Sequence, residues 1–309
     1  MKKALIFILL FGLVATALFS LLGYFGESNW RLDLFNHFRF HYFLILIVGS
    51  SLLAYFRWKR ALIFLPFILL LGLDIAPLYL GSSTDSQNET IKIASINLLR
   101  TNHQYALAKN YLKQTKPDVI VFIEYTAAWH KNLAPLLNDY AYHLKVVQED
   151  NFGIAVYSKL PVHNIQKVLL GKTGLPSIVG DLQLNNKRLK LIATHPNPGI
   201  SAFDFDSRND QYQALANYIK EQTQEVLMIG DLNSTSFSPH FKKLLKNADL
   251  KDSRAGFGLQ PTWPNVYGLA QITIDHCLVT DGIFIHTRKL GEDIGSDHLP
   301  IELELGLIK

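Results

Sequence analysis

The chain has 309 residues, 49% of them hydrophobic and only 18% charged, with a formal net charge of +4. That charged fraction, well below the ~25% usual in soluble proteins, and a mean hydropathy of +0.12 argue against an ordinary soluble enzyme. The single cysteine, Cys277, excludes an intrachain disulfide and a cysteine-rich zinc site.

The excess charge is local. Residues 1–80 carry seven Lys/Arg against three acids, whereas the 23 basic residues beyond them are matched by 23 acidic ones. The pI of 8.9 is therefore a property of the N-terminal segment and makes no case for a nucleic-acid-binding surface.

In chain order, three apolar runs come first: Ala4–Phe25, Tyr42–Phe56 and Ala61–Leu80. They predict transmembrane helices at about 4–25, 42–56 and 61–80, since ~20 apolar residues cross a hydrocarbon core; the second is the shortest. The first run is too long for a signal peptide, and Ser20–Glu27 offers no convincing small-x-small cleavage site. Lys2, Lys3, Arg57, Lys59 and Arg60 flank one side of the spans and Arg31 and Arg39 the other. The positive-inside rule then predicts a multi-pass protein of the inner or plasma membrane with a cytoplasmic N-terminus. After three crossings, everything beyond Leu80 falls on the outer, periplasmic or extracellular, face. Asp74, near the outer end beside Pro77, reads as interfacial. Residues 81–90 contain no apolar residue and read as a polar linker to one domain, 91–309.

Within that domain short apolar, β-branched runs recur at Ile91–Ile96, Val119–Ile123, Gly153–Tyr157, Ser177–Leu184, Leu189–Thr194, Val226–Ile229, Ile272–Val279 and Ile301–Leu305. Helical patterns lie between some of them, at Tyr105–Gln114, Asp206–Gln222 and Ser238–Leu245. The mixture predicts an α/β domain with stacked sheets.

Polar residues fall where these strands end. Asn97, Glu124 and His195 each directly follow a strand, Asp231 and Asn233 follow another, and Asp297 and His298 precede the last. Strand ends are rigid positions from which side chains can be aimed at one point. Glu124, Asp231, Asp275 and Asp297 are hard oxygen donors or bases, suited to Mg²⁺ or Mn²⁺ far better than to zinc. His195 and His298 can donate protons or hydrogen bonds to phosphoryl oxygens, and Asn97 and Asn233 can orient water or an oxyanion without adding charge. These are the parts needed to hydrolyse a phosphate ester.

The motifs Ile93-Ala-Ser-Ile-Asn97, Val121-Phe-Ile-Glu124, Gly153-Ile-Ala-Val-Tyr-Ser158, Ala193-Thr-His-Pro196, Gly230-Asp-Leu-Asn233, Ile274-Asp-His276 and Gly295-Ser-Asp-His298 resemble, in this order, those of the endonuclease/exonuclease/phosphatase superfamily. That superfamily includes deoxyribonuclease I, abasic-site endonucleases, neutral sphingomyelinases and inositol polyphosphate 5-phosphatases. The resemblance implies a four-layered α/β sandwich, two packed β-sheets flanked by helices. It implies that Glu124 binds the metal with Asn97 and Asp297 nearby, and that Asp231 orients or deprotonates the attacking water. Asn233 would hold a non-bridging oxygen, His298 would stabilise developing charge with Asp275 fixing its ring, and His195 would contact the phosphate or protonate the leaving group. The general base, Asp231 or His298, stays open, as does the choice of one metal or two.

Arg208 and Gln211, one helical turn apart, resemble an Arg-x-x-Gln found after the His-Pro motif in bacterial members. Arg208 is a candidate phosphate ligand or part of a solvated helix face. His276 should point to the sheet face opposite Asp275, Trp263 either floors a cleft or packs a loop, and Tyr157 and Cys277 read as core. The leading expectation is a membrane-anchored, Mg²⁺-dependent phosphodiesterase with a phospholipid headgroup or another envelope phosphodiester as substrate. An extracytoplasmic nuclease acting on DNA or RNA is the alternative. A catalytically inactive binding module on a membrane stem is a third class. No obligate protein partner is implied.

Overall fold

The computed structural model describes residues 1–56, 59–81, 89–265 and 268–308. Most of the expected linker, residues 82–88, lies outside the described residues, as do Arg57 and Trp58. The N-terminal apolar runs fold into α1 (Lys2–Leu22), a single turn α2 (Trp30–Asp33), α3 (Arg39–Tyr55) and α4 (Leu65–Ile75), extended at several ends by 3₁₀ turns. Three helical stretches, Lys2–Phe25, Trp30–Tyr55 and Ala61–Leu78, are long and apolar enough to cross a membrane. The second is longer than its uncharged run because Asn29 caps α2 by accepting the Arg31 N–H and helical geometry continues through residues 30–41, which include Arg31, Asp33 and Arg39.

These helices pack on Leu13, Ala17, Leu46, Leu53, Phe64 and Leu71, and Gly49 admits the Leu13 side chain where a Cβ would lie 2.6 Å from it. The outward faces carry exposed Phe7, Ile8, Phe11, Val48, Leu62 and Leu73, the reverse of a soluble helical bundle.

The rest of the chain is a four-layered sandwich. Strands β1 (Ile91–Asn97), β2 (Val119–Ile123), β3 (Tyr142–Val146) and β4 (Ile154–Ser158) join β11 (Ile283–Leu290) and β12 (Ile301–Leu307) in one sheet, ordered β11-β12-β1-β2-β4-β3. The second sheet, β5-β6-β7-β8-β10-β9, comprises β5 (Val162–Leu169), β6 (Pro176–Leu184), β7 (Lys187–Thr194), β8 (Glu225–Asp231), β9 (Lys251–Asp252) and β10 (Asp275–Val279). Alternation assigns the faces. Ile93, Val119, Val121, Leu191, Leu227 and Ile229 meet between the sheets. Ile96, Ile120 and Phe122 face outward under α5 (Tyr105–Thr115) and α6 (Ala127–Leu133). Ile192, Met228 and Leu278 face α7 (Ala202–Lys220) and α8 (Pro239–Ala248).

Two boundaries move from their expected places for local reasons. Helix α7 begins at Ala202, four residues early, because Ser201 caps it by accepting the Asp204 N–H. The run at Ile272 reaches strand geometry only at Asp275. Ile272 instead forms a bridge with Trp263, and the Ile274 and Asp275 N–H groups donate to Thr262 Oγ1.

The helical stem and the sandwich are joined along one surface. The Leu78 carbonyl accepts the Gly256 and Gly258 N–H groups at 3.0 and 2.8 Å, and Ile75, Leu78 and Phe237 share a small core. Asp74 ion-pairs with Arg39 on α3 and, at 2.7 Å, with Lys242 on α8.

Within the sandwich β8 and β7 approach closely at Gly230, whose φ is +149° and where a Cβ would sit 2.1 Å from the Thr194 carbonyl oxygen. Gly230→Ala is expected to cost about 3 kcal/mol by this overlap, seen as a fall of about 6–12 °C in thermal midpoint in detergent. An unshifted midpoint would show that the strands separate freely.

Candidate active site

Strand polarity explains why the strand-end residues converge. β1 and β2 are parallel in one sheet and β7 and β8 parallel in the other, so their C-terminal ends deliver Asn97, Glu124, His195 and Asp231. β10 is antiparallel to β8 and begins at Asp275, in register opposite Asp231. β12 is antiparallel to β1, so the loop entering it brings Asp297 and His298 to the same edge. Glu124, His195, Asp231, Asn233, Asp297 and His298 line a single open cleft there.

Hydrogen bonds tie the two sheets together across this edge. Asn97 Nδ2 lies 3.3 Å from Glu124 Oε1 and 3.2 Å from Asp231 Oδ2, while its Oδ1 accepts the Leu99 N–H at 3.0 Å. Glu124 Oε2 accepts the Arg100 N–H at 2.9 Å. The Asn233 N–H donates to Asp231 Oδ1 at 2.9 Å; its side-chain amide donates to the Pro196 carbonyl at 2.9 Å and lies 3.1 Å from His195 Nε2. Glu124 (φ +60°) and Asn233 (φ +51°) both adopt the left-handed region, a conformation that costs a non-glycine residue about 1–3 kcal/mol and persists only when its neighbours hold it.

The imidazole of His298 sits between two carboxylates. Its Nδ1 is 2.8 Å from Asp275 Oδ2 and its Nε2 is 3.7 Å from Asp231 Oδ2. Burial alone would lower its pKa, but Asp275 and Asp231 outweigh burial and raise it to about 10. Burial pushes Asp231 up, and His298 and His195 more than reverse this, leaving its carboxyl at about 2. Both shifts favour the imidazolium–carboxylate form of the pair.

A group whose pKa rises from 6.5 to about 10 on folding adds stability that is complete below pH 6.5 and is lost as the pH climbs towards 10. In protein treated with a chelator, the thermal midpoint of the wild type is expected to exceed that of Asp275→Asn most at pH 6, with the gap narrowing towards pH 10. A gap constant over that range would count against the pairing.

The donor set suits a hard divalent cation. Asp231, Asp275 and His298 present donor atoms within 4.8 Å of one another, a grouping that holds a metal ion only with the imidazole neutral; with His298 protonated, Glu124 and Asp297 are the cleft's remaining carboxylates. Asp297 lies beside them on the cleft, its Oδ2 accepting the Trp263 indole N–H at 3.0 Å. Its Oδ1 is buried without a hydrogen-bond partner among the described residues, the state of a carboxylate oxygen available to a cation.

Other sequence candidates lie away from the cleft surface. Arg208 is fully buried, so it occupies neither a solvated helix face nor the cleft wall. Its Nη2 donates to Asp33 Oδ2 at 2.8 Å and its Nη1 to the Asn233 carbonyl at 3.2 Å. Gln211, also buried, donates to Thr194 Oγ1 at 3.2 Å. His276 faces α8, 2.8 Å from the Ser234 carbonyl and against Phe241. Trp263 does line the cleft. The sequence reading missed the cleft's apolar wall, which includes Phe152 and Ile200 and, from the helical stem, Leu34, His37 and Phe38.

Two packed sheets with carboxylates, imidazoles and amides gathered at one edge make a phosphoesterase fold. The chain belongs to the endonuclease/exonuclease/phosphatase family, whose profile matches residues 93–298. It is 26% identical over 178 residues to a phospholipase C of Staphylococcus aureus, a match covering 46% of this chain; the chain spans about half, 53%, of the length of that curated relative. Among solved structures, Danio rerio TDP2 complexed with a single-strand DNA product superposes with a TM-score of 0.58 at 15% identity, covering 71% of this chain and all of the other. Sphingomyelinase C from Streptomyces griseocarneus superposes with a TM-score of 0.52 at 16% identity, covering 70% of this chain and 99% of the other. At these identities the structural likeness establishes the shared fold.

Proposed function

We propose that the protein is a membrane-anchored, divalent-metal-dependent phosphodiesterase, with its N-terminus in the cytoplasm and residues 91–309 as a catalytic domain on the outer face of the membrane. The observation that carries the reading is the convergence of Glu124, His195, Asp231, Asn233, Asp297 and His298 on one cleft, in a family whose members include phosphoesterases. The apolar outward faces of the three N-terminal helices support the anchor. Its orientation is supported by the stem end docked to the sandwich: there Arg39 is neutralised by Asp74, while Lys2 and Lys3 begin α1 at its other end.

Glu124 and Asp297, with Asn97 between Glu124 and Asp231, would hold Mg²⁺ or Mn²⁺. When bound, the ion would supply Lewis-acid stabilisation of charge on a phosphoryl oxygen. The ionised Asp231 carboxylate orients the attacking water and accepts its proton. Burial pushes its pKa up but His298 and His195 hold it low, which supports Asp231 over His298 as the acceptor. His298, protonated and fixed by Asp275, donates to the oxygen on which charge develops. Asn233 offers its amide to a non-bridging oxygen, and His195 contacts the phosphate or protonates the leaving group.

The test uses the full-length protein in detergent micelles with Mg²⁺ and a panel of bis(p-nitrophenyl) phosphate, solubilised phospholipid and plasmid DNA. Turnover of at least one diester, abolished by EDTA and restored by Mg²⁺ or Mn²⁺, is expected. Metal-independent turnover, or none on any diester, would overturn the reading. Cleavage of DNA alone would move the assignment to a nuclease.

A further inference from the structure

The cleft's wall is shared between the two parts of the chain. Leu34, His37 and Phe38 belong to the segment joining α1 to α3, yet they line the same cleft as Asp231 and His298. This segment is held firmly. Asp33 pairs with Arg208 at 2.8 Å with both side chains essentially inaccessible, His37 Nδ1 lies 3.1 Å from Thr235 Oγ1, and the Asn36 amide donates to the Gly23 carbonyl at 2.7 Å. The rim around it is apolar and exposed: Phe38 is 38% accessible and Ile200 63%.

The height of this rim on the stem is also fixed. Phe35 stacks on Phe19 near the end of α1 with ring centroids 5.1 Å apart, and Asn36 bonds the Gly23 carbonyl. The segment therefore sits at the edge of the stem's exposed apolar surface, which runs through Leu22 on α1 and Phe25 just beyond it. With that surface embedded, the cleft mouth faces the headgroup layer, about 5–8 Å deep, where lipid phosphates lie.

We propose that the α1–α3 segment is a substrate-binding wall, and that the substrate is a phospholipid still resident in the bilayer. Its phosphodiester reaches the carboxylate–imidazole edge, while its glycerol backbone and first acyl carbons lie against Leu34, Phe38 and Ile200. The proposal rests on the phosphodiesterase reading above and deepens it. A base could stack on Phe38, but aliphatic Leu34 and Ile200 at the edge of an apolar stem offer a nucleic acid no stacking face. A lipid phosphodiester gains from them, because contact with these side chains shields the acyl carbons that its partial withdrawal exposes to water.

The experiment reconstitutes the full-length protein into vesicles of phosphatidylethanolamine and phosphatidylglycerol with Mg²⁺. It compares hydrolysis of the vesicle lipid with that of bis(p-nitrophenyl) phosphate and of single-stranded DNA by the same preparation. The expected result is that Phe38→Ser and Ile200→Ser each lower the ratio of lipid to soluble-ester turnover at least tenfold, with Phe38→Leu restoring it to within threefold of the wild type. Ile200 is an exposed loop residue, so its variant answers the question even if Phe38→Ser misfolds. Unchanged ratios in Ile200→Ser and in a folded Phe38→Ser would overturn the proposal. A wild type that cleaves the soluble ester or single-stranded DNA but leaves the vesicles intact would overturn it too, with the phosphodiesterase reading intact. A wild type that cleaves none of the three would remove both.

Discussion

Replacing Asp231 by Ala is expected to lower metal-dependent phosphodiester turnover by about three orders of magnitude, the range associated with losing a positioned proton acceptor. Three observations set that size. Asp231 accepts the Asn233 N–H, is bridged by Asn97 to the Glu124 side of the cleft, and, after Asp275, helps raise the pKa of His298 against burial. Removing it releases a buried imidazolium from one partner and takes away the group placed to receive the water's proton. His298→Ala should cost about 10²–10³-fold by the loss of one donor to developing charge. The double variant should be little worse than Asp231→Ala, since residues acting as one unit are not additive. Single-turnover rates with bis(p-nitrophenyl) phosphate measure all three. Parent-like rates in both single variants would sink the assignment of this cleft as catalytic.

The second large effect concerns Arg208. Asp33→Ala should destabilise the protein by about 3–5 kcal/mol, because it leaves a buried guanidinium without its counter-charge. The same change should lower turnover, since Arg208 also holds the Asn233 carbonyl and lies directly beneath Gly199, where an added Cβ would fall 2.3 Å from Nη1. Replacing both partners, Asp33→Leu with Arg208→Met, should recover most of the stability, because an apolar pair of similar volume often substitutes for a buried ion pair at little cost. It should leave turnover low, because Met offers no donor to the Asn233 carbonyl. Thermal midpoints and rates measured on the same detergent-solubilised preparations separate the two roles. A single variant as stable as the parent would show that water reaches Arg208.

The strands that carry the cleft were readable because each is a buried apolar run followed at once by one polar residue, as in Val119–Ile123 and then Glu124. The edge strands β3 and β5 were not. Their side chains are largely exposed, so their composition follows solvent rather than the core. The individual side chains facing the cleft were legible from local motifs, but their arrangement was not, because Asp231 and Asp275 meet through an antiparallel register that only the sheet supplies. The wall from the stem left no mark at all. Hydropathy reports that a segment is apolar along its length and is silent about what its ends touch, so nothing singled out Asp33. Arg208, 175 residues away, read as a phosphate ligand or as part of a solvated helix face.

The buried Asp33–Arg208 pair also bears on how such a protein can be inherited. A catalytic sandwich joined to its anchor by a tether alone could exchange anchors freely by recombination. Here each half carries one member of a charge pair that is tolerable only when both are present. A crossover within the segment between α4 and β1 would strand an arginine in one product and an aspartate in the other. The two halves are expected to have travelled together, with substitutions at 33 and 208 fixed in concert, so the unit on which selection acts is the whole chain.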